Sequence, residues 1–216
     1  MFAGVSGPTG SWLEELRLDR ADDVTEVDLD ALRGGASVGG RALTRPRYLV
    51  CTNGRHDVCC ARDGIPVARS LHTALGDRVW ECSHVGGDRF AGNLVCLPEG
   101  QFYGHLDPAS AHRAVTAHEE GRILLEHWRG RSCHPFAVQA AESLVRKRLG
   151  IDDDAGLEVV DSQVQGPRVA VRFRRRDGGH LLATVQVTAT APAERLTCAG
   201  TPSPVPAYHL EELVVQ

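Results

Sequence analysis

The strongest constraint on this chain is a pair of short apolar runs with a helical stretch between them. Arg47 to Cys51 reads RYLVC and Arg78 to Cys82 reads RVWEC. Each is read as a buried strand. From the first, a polar loop (TNGRHD) leads into Val58 to Leu75, where Val67, Ala68, Leu71 and Leu75 recur at helical spacing. Pro66 is expected to open the main helix and Gly76 to end it. A helix that bridges two strands is a crossover connection. Beyond it, Ser83 to Gly92 is a glycine-rich loop and Asn93 to Leu97 a third strand. Gly100 is a turn residue and Gln101 to Leu106 a fourth strand, giving a hairpin. Asp107 caps a helix with Pro108 at its first position, expected to run to about Trp128. The order strand, helix, strand, strand, strand, helix, with the last two strands a hairpin, is that of an α/β fold with a thioredoxin-like core.

The flanks read differently. Leu16, Leu18, Val24, Val27 and Leu29 alternate loosely around Asp22-Asp23, which suggests a hairpin within residues 12–29, after a frayed start. From Pro135 the pattern changes. Phe136 to Leu149 is an amphipathic helix. Leu157–Val164, Arg168–Arg175 and His180–Thr190 then read as three antiparallel strands, with Arg176-Asp177-Gly178-Gly179 as a hairpin turn. The tail (PSPVPAY) is expected to be extended. The division expected is therefore a core domain over 1–130 with an appended small α+β segment over 131–216.

With a net charge of -4 the chain lacks the dense basic surface that nucleic-acid binding needs. No apolar run approaches the length of a membrane span. Met1 to Trp12 lacks the basic flank and apolar stretch of a secretory signal, so the cytoplasm is the expected address. In that reducing compartment a disulfide framework is not expected of the seven cysteines. Cys96, Cys133 and Cys198 stand alone and read as small buried apolar residues. The other four, Cys51, Cys59, Cys60 and Cys82, cluster, which points to metal or redox chemistry.

Cys51 and Cys60 flank an eight-residue loop that leaves the first strand. Cys82, His84 and Asp88 end the second strand and enter its loop. The fold order lets the two loops meet at one end of the sheet, and Gly86-Gly87 let the backbone wrap closely. Such soft and borderline donors suit zinc nearly as well as an iron–sulfur cluster. Around them, Arg89 and His56 are candidate outer donors or simply exposed side chains, and Cys59 is a packed or spare thiol. Arg172, Arg174, Arg175 and Arg176 form either a solvated strand face or a docking patch for an acidic partner.

The runs CTNGRHDVCCARDGIPVARSL and CSHVGGDRFAGNLVCLPEGQFYGHL resemble the sucrase/ferredoxin-like family, relatives of thioredoxin-like [2Fe–2S] ferredoxins. The resemblance spans roughly residues 12–130. It implies a [2Fe–2S] cluster held by Cys51, Cys60 and two residues of the second loop, at the positions of His84 and Asp88. Asp88 stands where a histidine or cysteine is expected. Three arrangements follow: Asp88 binds through an oxygen, Cys82 replaces it, or the site is incomplete. A core of two thiolates, one imidazole and one carboxylate carries a net charge of about -1, which implies a potential between those of an all-cysteine and a two-histidine site. The family's longer members carry sequence upstream of the region matched by Trp12, so this chain is expected to be a short form or to have a late start.

The function expected is thus electron transfer with a redox protein donor or acceptor. A homodimer is allowed, and neither nucleic acid nor membrane is a partner. The competing readings are a zinc-stabilised binding module and a thiol oxidoreductase on the same fold. The latter would need a low-pKa Cys-x-x-Cys pair, which the sequence lacks. No Gly-x-Ser-x-Gly elbow or glycosidase-like carboxylate pair supports hydrolysis.

Overall fold

A computed structural model describes residues 1–8, 10–190 and 193–215. In chain order its elements are β1 (Phe2–Ser6), β2 (Ser11–Glu15), α1 (Leu29–Arg33), β3 (Arg41–Ala42), β4 (Arg47–Cys51), α2 (Val58–Leu75), β5 (Val79–Cys82), β6 (Leu94–Leu97), β7 (Gln101–Tyr103), α3 (Pro108–Glu119), β8 (Trp128–Arg131), α4 (Phe136–Leu149), β9 (Leu157–Gln165), β10 (Arg168–Arg175), β11 (His180–Ala189) and β12 (Pro206–Val215). Among the described residues the architecture is mixed α/β, with three sheets.

The central sheet has the order β5-β4-β6-β7-β8. β4 runs parallel to β5, with Cys51 opposite Cys82, and antiparallel to β6, with Tyr48 opposite Cys96. β7 and β8 continue antiparallel. Alternation puts Tyr48, Val50, Val79, Leu94, Cys96 and Tyr103 on one face. There they pack against Val67, Ala68 and Leu71 of α2 and Ala111, Ala114 and Val115 of α3. Fully burying side chains such as Leu71, Val67 and Leu94 contributes roughly 1.5–3 kcal/mol each.

α2 begins earlier than its proline suggests. The Asp57 side chain accepts from the Cys59 N–H and caps the helix, which puts Cys59 and Cys60 in the first turn and Pro66 in the interior. The helix lies hard against the end of β4: a Cβ at Gly64 would stand 2.0 Å from the Cys51 carbonyl oxygen. Gly64→Ala is therefore expected to push α2 off the sheet and cost about 3 kcal/mol, read as a lowered urea midpoint. An unchanged midpoint would mean that this contact is not needed.

α3 stops well short of Trp128. Asp107 and Ser110 form its capping box, and Gly121, at φ 68°, turns the chain out of the helix. Ile123, Leu124 and Leu125, whose apolar pattern prolongs the helix on paper, pack onto the core from a loop instead. Trp128 then opens a fifth strand, opposite Tyr103.

The N-terminal hairpin is β1 with β2, so it starts at Phe2 and only its second strand enters residues 12–29; the rest of that stretch holds a 3-10 turn (Ala21–Glu26) and leads into α1. The start is not frayed, since Gly4 and Val5 pair with Leu13 and Trp12. The C-terminal sheet has four strands, β12-β11-β10-β9, one more than the sequence suggests. The Pro-rich tail leads into β12. α4 contacts both β8 and this sheet and closes a second core of Val138, Ala141, Val145, Leu157, Val171, Phe173 and Leu181. No helix among the described residues is long and apolar enough to cross a membrane.

Candidate metal centre

At the carboxyl ends of β4 and β5, three segments converge. Cys51 ends β4, Cys60 sits in the first turn of α2, and His84 lies in the loop after β5. The Cys51 and Cys60 sulfurs and a His84 ring nitrogen all lie within 4.8 Å of one another. Both thiols are buried. A 3-10 turn (Asp88–Phe90) then delivers Asp88, whose side chain is only 5% exposed.

Asp88 ties the site together. Its Oδ1 accepts from the Cys60 thiol at 3.4 Å and lies 2.9 Å from His84 Nδ1. Its Oδ2 lies 3.2 Å from His56 Nε2. The rings of His56 and His84 face each other with centroids 3.9 Å apart. His56, His84 and Asp88 thus form a second donor group that shares His84 with the first. Of the residues expected at the site, Cys51, Cys60, His84 and Asp88 are brought together and His56 joins them.

Cys82 stands opposite Cys51 across the parallel strands but completes no group of three donors among the described residues. Arg89 turns away: its guanidinium pairs with Glu194 and stacks on Phe90. Cys59 is buried, and its thiol donates to the Asp88 carbonyl at 3.3 Å.

Burial is the main cause of the thiol shifts. It pushes the Cys59 thiol up to about 12 and Cys82 up to about 11, and it raises Cys60 with help from hydrogen bonds to Cys51 and Asp88. As free thiols these groups are mostly protonated at neutral pH, so thiolate chemistry at them is slow. Asp88 is a carboxylate buried beside the Cys60 thiol, and a bound cation would offset its charge and draw the thiols into their ionised form. The donor set therefore fits a bound metal or cluster: two soft sulfurs, one imidazole and one carboxylate.

The sequence hides one support of the loop. Arg129 donates to Asn93 Oδ1 at 2.8 Å, and Asn93 Nδ2 donates to the Gly87 carbonyl at 3.0 Å. Gly87 has φ 78°, and a Cβ there would meet the Arg129 guanidinium at 2.6 Å. Burial, with Arg89 nearby, brings the Arg129 guanidinium down to about 10. Arg129 falls on β8, just beyond the stretch that reads as helix, so only a strand assignment aims it at the loop.

Cys198 is the clearest correction. It is exposed rather than buried, and it stands beside Cys59 and Asp57, whose Oδ2 accepts its backbone N–H at 2.6 Å. Arg172, Arg174, Arg175 and Arg176 pair with Asp161, Glu158, Asp177 and Asp153 in exposed ion pairs. A cleft of about 470 Å³ lined by Arg45, Arg78, Glu99, His118 and Glu119 lies beside the start of β4, at the opposite end of the strand from the thiols.

The sequence model of the sucrase/ferredoxin-like family matches residues 9–130. The chain is also 29% identical over 99 residues to altered inheritance of mitochondria protein 32 from the yeast Meyerozyma guilliermondii. That match covers 41% of this chain and 35% of the yeast protein, so the chain spans about a third of its relative's length. No solved structure matches.

Proposed function

This chain belongs to the sucrase/ferredoxin-like family, and from that membership we propose that it holds a [2Fe–2S] cluster and carries single electrons between protein partners. The convergence of Cys51, Cys60 and His84 donors within 4.8 Å carries the reading. The strand order β5-β4-β6-β7, with only β4 and β5 parallel, supports a thioredoxin-like core beneath the site.

When bound, the cluster supplies one-electron redox chemistry. Cys51 and Cys60 provide the thiolates and keep them from water. His84 provides a ring nitrogen near solvent, where a partner can approach; its side chain is 32% exposed. Asp88 provides Oδ1, the oxygen beside the Cys60 sulfur, while His56 holds Oδ2 and fixes the carboxylate. The partner is a redox protein.

The Asp88 carboxylate also favours a second reading, a structural zinc on the same four residues, because carboxylate oxygen is an ordinary zinc ligand. The thiol oxidoreductase reading loses support, since burial moves the thiols away from the thiolate form.

The fourth ligand is tested by two variants. Asp88→Ala is expected to lower iron retained through purification about tenfold or more, whereas Cys82→Ser keeps it. Iron lost from Cys82→Ser and kept by Asp88→Ala would transfer the role to Cys82.

A further inference from the structure

β11 and β12 are antiparallel neighbours, with Ala189 opposite Pro206. Roughly two to five residues would join such strands. Positions 190–205 join them in sequence here, and a connection of that length is commonly functional. Glu194 pairs with Ser203 in a backbone bridge, so the connection doubles back on itself as a strap. The strap leaves its own sheet and reaches the first cysteine loop. There Glu194 pairs with Arg89, and the Cys198 N–H donates to Asp57, the cap of α2.

These contacts set two thiols side by side. Ligand atoms of Asp57, Cys59 and Cys198 all lie within 4.8 Å of one another. Both Asp57 oxygens already accept backbone N–H groups, Oδ1 from Cys59 and Oδ2 from Cys198. The carboxylate is thus occupied with holding the strap, and the two sulfurs lie within 4.8 Å of each other beside it. Cys59 is fixed in the first turn of α2, while Cys198 is the one exposed cysteine of the seven.

We propose that Cys59 and Cys198 are a redox-modification site, whose reversible disulfide fastens the strap over the first cysteine loop. The oxidant is a low-molecular-weight disulfide, RSSR. The Cys198 sulfur attacks it, forming Cys198–S–S–R and releasing one RSH, which carries the Cys198 proton. The Cys59 sulfur then attacks the Cys198 sulfur and displaces the remaining RS group. The S–S bond to R breaks, the protein disulfide forms, and a second RSH leaves with the Cys59 proton. Two thiols are oxidised and one RSSR is reduced to two RSH. A disulfide needs its sulfurs about 2.05 Å apart, and the movement falls to the exposed strap rather than to the helix. Cys60, next to Cys59 in sequence, is a poor competitor because a vicinal disulfide is strained. The bond leaves both thiols of the neighbouring donor group, Cys51 and Cys60, untouched. A fastened strap would also limit access to that group, a consequence that rests on the metal reading above.

The test treats reduced protein as purified, and a metal-free portion of it, with oxidised glutathione. Free thiols are then alkylated and the peptides mapped by mass spectrometry. A Cys59–Cys198 cross-linked peptide is expected in both portions, reversed by dithiothreitol. Tryptic cleavage after the exposed Arg195 should slow about tenfold on oxidation, because fewer molecules open at the strap. Cys198→Ser should show neither change while keeping its far-UV circular dichroism. Glutathione found on Cys198 alone, or Cys59 joined to Cys60, would overturn the proposal. Iron assayed on the same samples reports on the metal reading separately, since the cross-link is expected with or without it.

Discussion

Cys60→Ser protein is expected to be colourless, with iron falling from about two atoms per chain to below about 0.2. A serine hydroxyl stays protonated at neutral pH and offers a hard oxygen where a soft sulfur stood, so it replaces a thiolate ligand poorly. Cys60 is fully buried in the first turn of α2 and faces both Asp88 Oδ1 and Cys51, so no solvent group can stand in for it. Cys59→Ser is the control. Its sulfur points to the Asp88 carbonyl and to Cys198, away from the Cys51–Cys60–His84 group, and that variant should keep its iron. Loss of iron from Cys59→Ser with retention in Cys60→Ser would reverse the assignment of the two adjacent thiols.

The largest stability effect is expected away from the site. Arg146 is 0% exposed and its Nε donates to Glu142 Oε1 at 2.9 Å across one turn of α4. Its remaining nitrogens donate to the carbonyls of Ile151, Asp153, Asp154 and Leu157. One side chain thus closes the turn between α4 and β9. Arg146→Ala removes all five hydrogen bonds and leaves Glu142, 1% exposed, with only the 3.5 Å contact from Arg131. Breaking a buried pair from one side costs about 3–5 kcal/mol, a large part of a domain's net stability. Replacing both members, Glu142→Leu with Arg146→Met, should cost less than Arg146→Ala, because no charge is left buried alone. Urea denaturation of the three proteins checks this order; a double variant worse than the single one would mean that the unpaired Glu142 is not the main cost.

Regular, locally capped elements were legible in the sequence. α4 and β10 run from Phe136 to Leu149 and Arg168 to Arg175, the bounds their periodicity and flanking turns imply, and α2 ends at Leu75 before Gly76 as expected. The two cysteine segments were legible as well, because strand ends and a crossover helix bring such loops to one end of a sheet. What escaped depends on tertiary pairing. β8 is four residues whose strand character comes from the neighbouring Tyr103 and Phe102, not from its own WRGR. β1 carries three apolar residues with two glycines close by, and only pairing with β2 makes it a strand. Cys198 lies on the strap, where no periodic signal places a residue. Its partner Asp57 is 141 positions away in sequence, so their meeting could be read only from the fold.

The direct measurement is an absorption spectrum of protein purified without oxygen, with iron and acid-labile sulfide assayed on the same sample. Bands between roughly 320 and 600 nm that bleach with dithionite, with about two iron and two sulfide per chain, are the expected result. Colourless protein that takes up neither iron nor sulfide on anaerobic reconstitution would contradict electron transfer by this site, and about one zinc per chain would leave it a structural metal centre.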